Sequence, residues 1–192
     1  MMISRDKYLE ALKISMHNGM IKVVTGIRRC GKSYLLLMIF KNDLIQSGTP
    51  EDHIITIELD QRKNRELRNP DAILDYIDSL IKDGEQYYIL LDEVQMLKEF
   101  EEVLNSLLHI QNADVYVTGS NSKFLSKDII TEFRGRGDEV HVYPLSFKEF
   151  MEAYEGDQYR GWAEYVTYGG LPLTVTMKTE EQKIQYLTTL FD

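Results

Sequence analysis

The chain has 192 residues, 43% hydrophobic and 28% charged, which is enough apolar material for one folded domain and too much for a disordered tail. Its formal net charge of −9 argues against a general nucleic-acid clamp, which needs surplus Lys and Arg facing phosphates, but leaves room for a local basic patch. The single cysteine, Cys30, excludes a disulfide framework and a thiolate metal cage. His17, His53, His109 and His141 lack ligand spacing, and neither a leader pattern nor a membrane-length apolar run is present.

Short apolar runs then alternate with helical patterns. Ile21–Thr25 reads as a strand. Lys32 to Ser47, rich in Leu, Met and Ile, reads as one helix, with Gly48 where a C-terminal cap belongs. Ile54–Leu59 is a second strand. Asn69-Pro70 starts a helix, Asn as cap and Pro in the first turn, with Ile73, Ile77, Leu80 and Ile81 on its buried face and Gly84 closing it. Tyr87–Leu91 is continuously apolar, as expected of a parallel strand covered on both faces. Phe100, Val103, Leu104, Leu107 and Leu108 form the next helical stripe. Val115–Thr118 is a fourth strand and Glu139–Tyr143 a fifth. Strands alternating with helices predict an α/β fold with a parallel sheet flanked by helices.

Beyond Pro144 the pattern turns helical. Ser146 and Glu149 form a capping box that opens a helix to about Tyr154. Trp162–Tyr168 reads as a further helix, stopped by Gly169-Gly170-Leu171-Pro172. Thr179 and Gln182 open a last helix with Ile184, Leu187 and Phe191 on one face. The expected division is an ATPase core over 1–145, for the reasons that follow, and a small helical lid, or the start of a further region, over 146–192.

Gly26-Ile27-Arg28-Arg29-Cys30-Gly31-Lys32-Ser33 fits G-x-x-x-x-G-K-[ST] between a strand and a helix, the P-loop spacing. The glycines permit positive φ, so that backbone N–H groups wrap phosphates, and the following helix aims its positive dipole end at them. Residues Gly26 to Tyr34 are therefore the expected contacts of ATP. Lys32 brings a point charge to the β- and γ-phosphates, and the Ser33 hydroxyl reaches Mg²⁺. Without ligand the Lys32 ammonium is expected to face solvent. Arg28 and Arg29 face outward to other domains or polyanions, or are held by local packing. Cys30 is a small spacer whose thiol the helix end and Lys32 would make more acidic.

The strand Tyr87–Leu91 ends in Asp92 and Glu93, at the sheet edge where parallel strands bind ligands. Asp92 is expected to hold Mg²⁺, directly or through water, and Glu93 to polarise a water towards the γ-phosphate. The fourth strand would bring Ser120 or Asn121 to the γ-phosphate or that water, unless Gly-Ser-Asn is only a turn. In Arg134-Gly-Arg136-Gly, Arg136, ahead of Arg134, is the candidate arginine finger towards a neighbouring subunit, against the alternative of a solvated loop charge.

Taken in order, Thr-Gly-Ile-Arg-Arg-Cys-Gly-Lys-Ser, Leu-Leu-Asp-Glu-Val-Gln, Val-Thr-Gly-Ser-Asn-Ser, Pro-Leu-Ser-Phe-Lys-Glu-Phe and Tyr168-Gly-Gly-Leu-Pro172 resemble the prokaryotic AAA+ P-loop ATPases close to the archaeal-type and STAND-like ATPases. The resemblance runs from about residue 3 to 175. It implies a five-stranded parallel sheet of order 5-1-4-3-2 with a helical lid. It also implies Lys32 and Ser33 on phosphate and metal, Asp92 on metal, Glu93 as catalytic base, and Ser120 or Asn121 as first sensor. No second-sensor arginine stands out in the lid. Family members usually continue into a C-terminal domain, some nuclease-like or winged-helix. The chain is accordingly expected to be the N-terminal ATPase portion of a longer protein whose missing part recognises a DNA or protein partner. The expected function is ATP binding and Mg²⁺-dependent hydrolysis that drives conformational change in a partner domain or macromolecule. The alternatives are a nucleotide-gated switch with little turnover and a DNA-associated helper ATPase. A cytoplasmic location without membrane contact and a homo-oligomer through Arg136 complete the expectation.

Overall fold

The computed structural model describes residues 3–119 and 136–191. Five parallel strands form one sheet: β1 (Ile21–Thr25), β2 (Ile54–Glu58), β3 (Tyr87–Asp92), β4 (Ala113–Thr118) and β5 (Gly137–His141). Their order is β2-β3-β4-β1-β5, which is 5-1-4-3-2 read from the other edge. The central register pairs Val23 with Val117 and Leu91 with Val117, so β4 lies between the first and third strands.

Alternation along each strand divides the apolar residues between two cores. Val23, Leu91 and Val117 pack with Ile73 and Ile77 of α3 (Pro70–Leu80) and Leu104 of α4 (Phe100–Leu107). Val24, Leu90 and Tyr116 pack on the other face, with Leu12 of α1 (Asp6–Ile14) and the helix after β1. Helix α1 was not anticipated from the sequence. Its short stripe of Tyr8 and Leu12 is legible only once a sheet is there to receive it.

Three local expectations change. Helix α2 is not uniformly α-helical: it runs as α-helix over Lys32–Tyr34, π-helix over Leu35–Phe40 and α-helix over Lys41–Gln46. Phe40, at the end of the π-helical stretch, packs on Tyr116 with ring centroids 4.5 Å apart. The fifth strand is displaced towards Gly137, because its register with β1 begins there. In the last helix the buried residues are Lys183 and Tyr186 rather than Ile184, which is 56% exposed. Lys183 pairs with Glu164 and Tyr186 lies under Arg29, so polar anchoring rather than apolar spacing sets the face.

The C-terminal helices are α5 (Phe147–Ala153), α6 (Gln158–Tyr168), α7 (Pro172–Thr176) and α8 (Glu180–Phe191). The Ser146–Glu149 capping box closes in both directions, as its spacing predicts. Helices α5 and α6 join through rings: Phe147 meets Trp162 edge-on at 5.0 Å and Phe150 meets Tyr165 at 5.4 Å. Among the described residues no helix is long and apolar enough to cross a membrane.

A buried polar group sits where the strands begin. Lys22 on β1 is fully buried and pairs with Asp114 on β4. The Tyr116 hydroxyl donates to Asp114 at 2.9 Å and the His17 backbone N–H at 3.0 Å. The His17 Nε2 lies 3.0 Å from the Tyr88 hydroxyl. Burial and the neighbouring Asp114 charge push the Tyr116 phenol far above its usual range.

Candidate functional site

The strands end at the opposite edge, and the conserved geometry of parallel sheets places ligands there. The loop leaving β1 turns through positive φ at Gly26 (141°), Arg29 (65°) and Gly31 (100°). Turns of this kind bring successive backbone N–H groups round to face an anion. A Cβ on Gly26 would stand 2.2 Å from the Val142 carbonyl oxygen, so only glycine fits under the exit of β5. Gly31 is the N-cap of α2, which puts the positive end of that helix against the loop.

Lys32 corrects an expectation. Its ammonium is buried, not solvent-facing, and donates to the carbonyls of Gly26 at 3.1 Å and Ile27 at 3.0 Å. A cation taken out of water needs acceptors, and the loop supplies its own. Cys30 corrects another. Its thiol is buried, donates to the Val142 carbonyl at 3.3 Å, and is pushed up by burial, which outweighs the nearby Lys32 and Arg5 charges. Ile27, Arg28 and Arg29 are exposed, and Ser33 is half-buried.

The Asp92 carboxylate is buried at the end of β3. Thr118 donates to it at 2.6 Å, and the Ser33 hydroxyl also bonds it, joining the loop after β1 to the end of β3. Burial raises the Asp92 carboxyl above its usual range, with these two hydrogen bonds opposing and the Glu93 and Asp60 charges adding to the rise. Glu93 has φ 55°, an uncommon conformation for its type. Its N–H donates to Thr118 Oγ1 at 3.0 Å, and its carboxylate accepts from Gln95 Nε2.

Thr118 is thus a junction that sequence reasoning missed. One buried hydroxyl serves both acidic residues of the neighbouring strand. The signal was available in the implied strand order, which places the end of β4 beside Asp92. Ser120, Asn121 and Arg134, the other residues expected here, lie outside the described residues. Arg136 is exposed and precedes β5, its carbonyl accepting from the Ile21 N–H at 2.8 Å. It lies at the beginning of the strands, roughly 16 Å, one five-residue strand length, from the edge that holds the loop.

A cavity of about 580 Å³ opens between the loop and the C-terminal helices. Cys30, Gly31 and Tyr34 line it from one side and Pro172, Leu173 and Tyr186 from the other, with Arg5 and Arg29 also in its wall. Sequence reasoning did not find it, because its walls come from parts of the chain about 150 residues apart.

The donor set suits a small hard cation. Ser33 and Asp92 offer oxygen, and Mg²⁺ takes one or two protein oxygens and completes its shell with water and phosphate. No group of three or more His, Cys, Asp or Glu among the described residues is arranged to hold a metal by itself, which such a shared shell does not require.

Relatives place this arrangement. An uncharacterized protein of Haemophilus influenzae is 34% identical over 197 residues, covering 100% of this chain and 49% of that protein. The chain spans about half the length or less of the curated relatives it matches. Among solved structures, the Walker-type ATPase of Pyrococcus abyssi superposes with a TM-score of 0.62 at 18% identity, over 97% of this chain and 68% of that one. Domain III of the Thermotoga maritima replication initiation protein DnaA gives 0.51 at 15% identity, over 98% and 94%. These two likenesses concern the fold. The sequence model of the AAA domain family matches residues 18–151, well over half of the chain, and this chain therefore belongs to the AAA domain family of P-loop ATPases.

Proposed function

We propose that the domain binds ATP with Mg²⁺ at the Gly26–Tyr34 loop and hydrolyses its β–γ phosphoanhydride bond. The observation that carries this reading is the bond from Ser33 to Asp92, which ties the loop after β1 to the carboxylate of β3 where a phosphate-bound cation would need both. Lys32 exchanges its two loop carbonyls for β- and γ-phosphate oxygens, and the N–H groups of the loop and of the start of α2 hold the chain of phosphates. The cation, when bound, neutralises charge that builds on the phosphate oxygens. Ser33 and Asp92 hold it, and Thr118 keeps the Asp92 carboxylate turned to it. Glu93 accepts the proton of the attacking water, with Gln95 fixing its carboxylate. Ser120 or Asn121 contacts the γ-phosphate.

Within this reading the apolar cavity beside Cys30, Gly31 and Tyr34 receives the nucleoside, and residues 146–192 act as a lid over it. Arg136 serves the site of a neighbouring copy, because it stands at the wrong edge of the sheet for its own. The hydrolytic cycle acts on a DNA or protein partner held by the further length that the relatives possess. A nucleotide-gated switch with slow turnover is the second reading, and the hold of Gln95 on Glu93 favours it.

Calorimetric titration of ATP·Mg²⁺ tests the binding. The native protein should bind, Lys32→Ala should bind hardly at all while melting as before, and Asp92→Asn should lose the Mg²⁺-dependent part of the affinity. Equal ATP affinity in Lys32→Ala would refute the P-loop assignment.

A further inference from the structure

The cavity beside the loop has two unusual wall residues. Tyr186 of α8 and Arg5, just before α1, are both more than nine-tenths buried, at 8% and 4% exposure. Each carries a polar atom shut from water and without a hydrogen-bond partner among the described residues: the Tyr186 hydroxyl and the Arg5 Nη1. The rest of each side chain is fixed. The Arg29 guanidinium lies over the Tyr186 ring at 5.1 Å. Arg5 donates through Nη2 to the Tyr143 carbonyl at 2.6 Å, and its Nε pairs with Glu149 at 3.3 Å. Leaving a buried donor unmet is costly, and two such groups in the wall of one cavity are not explained by packing.

We infer that Tyr186 and Arg5 read the base of the bound nucleotide, a purine, and so set the nucleotide preference of the site. This rests on the P-loop reading above and deepens it. The guanidinium only donates, so Nη1 pairs with a ring nitrogen; the phenol donates or accepts, so it pairs with a ring nitrogen or an exocyclic amino group. Adenine offers both along its edges. Pro172, Leu173 and Tyr34 supply apolar faces for the ring system. The two readers come from opposite ends of the chain, so a two-ring base spans between them where a one-ring base reaches only one.

Tyr186→Phe removes one atom and keeps the ring under Arg29. Its Kd for ATP·Mg²⁺ should rise roughly five-fold, the scale of one net hydrogen bond, and its preference for ATP over CTP should shrink by the same factor. Its Kd for inorganic tripolyphosphate with Mg²⁺, which has no base, should not move. Without ligand the variant should melt no lower than the native protein, because the unmet hydroxyl is gone. Arg5→Lys keeps a cation near Glu149 but removes the planar donor, and should narrow the ATP/CTP ratio likewise. Tyr186→Phe alone decides if Arg5→Lys does not fold. Unchanged ATP affinity and ATP/CTP ratio in Tyr186→Phe overturn the inference, as does an equal loss for tripolyphosphate, which would mean that the hydroxyl acts through the loop. If the native protein binds neither ATP nor tripolyphosphate, the P-loop reading itself falls and takes this inference with it. If it binds both and Tyr186→Phe changes nothing, only the base-reading assignment is lost.

Discussion

The two ends of the sheet both bury charge, and they do so in opposite ways. Where the strands begin, Lys22 and Asp114 neutralise each other, and Tyr116 and the His17 backbone complete the carboxylate's hydrogen bonds. Where the strands end, the groups are compromised. Asp92 is held above its usual range by burial, Lys32 makes do with loop carbonyls, Arg29 and Glu93 have positive φ, and one oxygen of Gln95 is buried without a partner among the described residues. A closed network is what a structural role requires, since a half-satisfied one is worse than an apolar core. Unspent hydrogen-bonding capacity and backbone strain at one edge are what a site awaiting a ligand retains. The contrast separates a framework end from a working end using only partners and dihedral angles.

Variants at the two ends should therefore fail differently. The largest effect is expected at the framework end. Lys22→Met keeps the stem but leaves Asp114 charged and alone, which should cost about 3–5 kcal/mol. Chemical denaturation would register the loss, while the folded fraction should bind ATP normally. A stable Lys22→Met protein would show that the pair is dispensable. Next is Glu93→Gln at the working end: turnover in an assembly that hydrolyses ATP should fall roughly 10²-fold, the scale of losing a general base, with ATP affinity and melting temperature preserved. Undiminished turnover would remove Glu93 from the mechanism. Thr118→Val keeps shape and removes the shared hydroxyl; it should destabilise by about 1–2 kcal/mol and weaken Mg²⁺-dependent ATP binding together. Loss of only one of the two would show that Thr118 serves only one end of this division.

The smallest effect is one of sign. Because the folded state raises the Asp92 carboxyl, its protonated form is favoured on folding, so its contribution to stability is present at low pH and fades as pH rises through the folded value. Asp92→Asn should remove that decline and make the ligand-free protein more stable at pH 7, while impairing Mg²⁺-dependent binding. Thermal melts of both proteins across acid to neutral pH would show it, and a lower melting temperature for Asp92→Asn at pH 7 would count Asp92 among the framework groups instead.

The working end was legible in the sequence because its signals are local. Gly26 through Ser33 is one contiguous pattern, Asp92 and Glu93 follow an apolar run, and Ser146 and Glu149 are three residues apart. The framework end was not. Lys22 reads as one polar residue in a short strand until the register sets it beside β4. Tyr186 and Lys183 went unread for the same reason: the partners that bury them, Arg29 and Glu164, are distant in sequence, so helical spacing favoured Ile184. Thr118, Arg5 and the cavity depend on which strand neighbours which. Burial, not spacing, decided Cys30 and Lys32, and a pattern of residue types carries no measure of how deeply a loop folds into the molecule.

The contact between Gly26 and Val142 sets a limit on variation that can be counted. The backbone there combines a φ of 141° with a carbonyl oxygen 2.2 Å from where any Cβ would stand. The obstruction is main chain, which no change of rotamer relieves. At Gly31 the nearest atom to a built Cβ is a Pro172 ring carbon at 3.6 Å, so space is available and only the φ of 100° objects. A library randomised at both codons and sorted for folded protein should therefore return glycine alone at position 26, but some asparagine or aspartate beside glycine at position 31, the residues that tolerate left-handed backbone best.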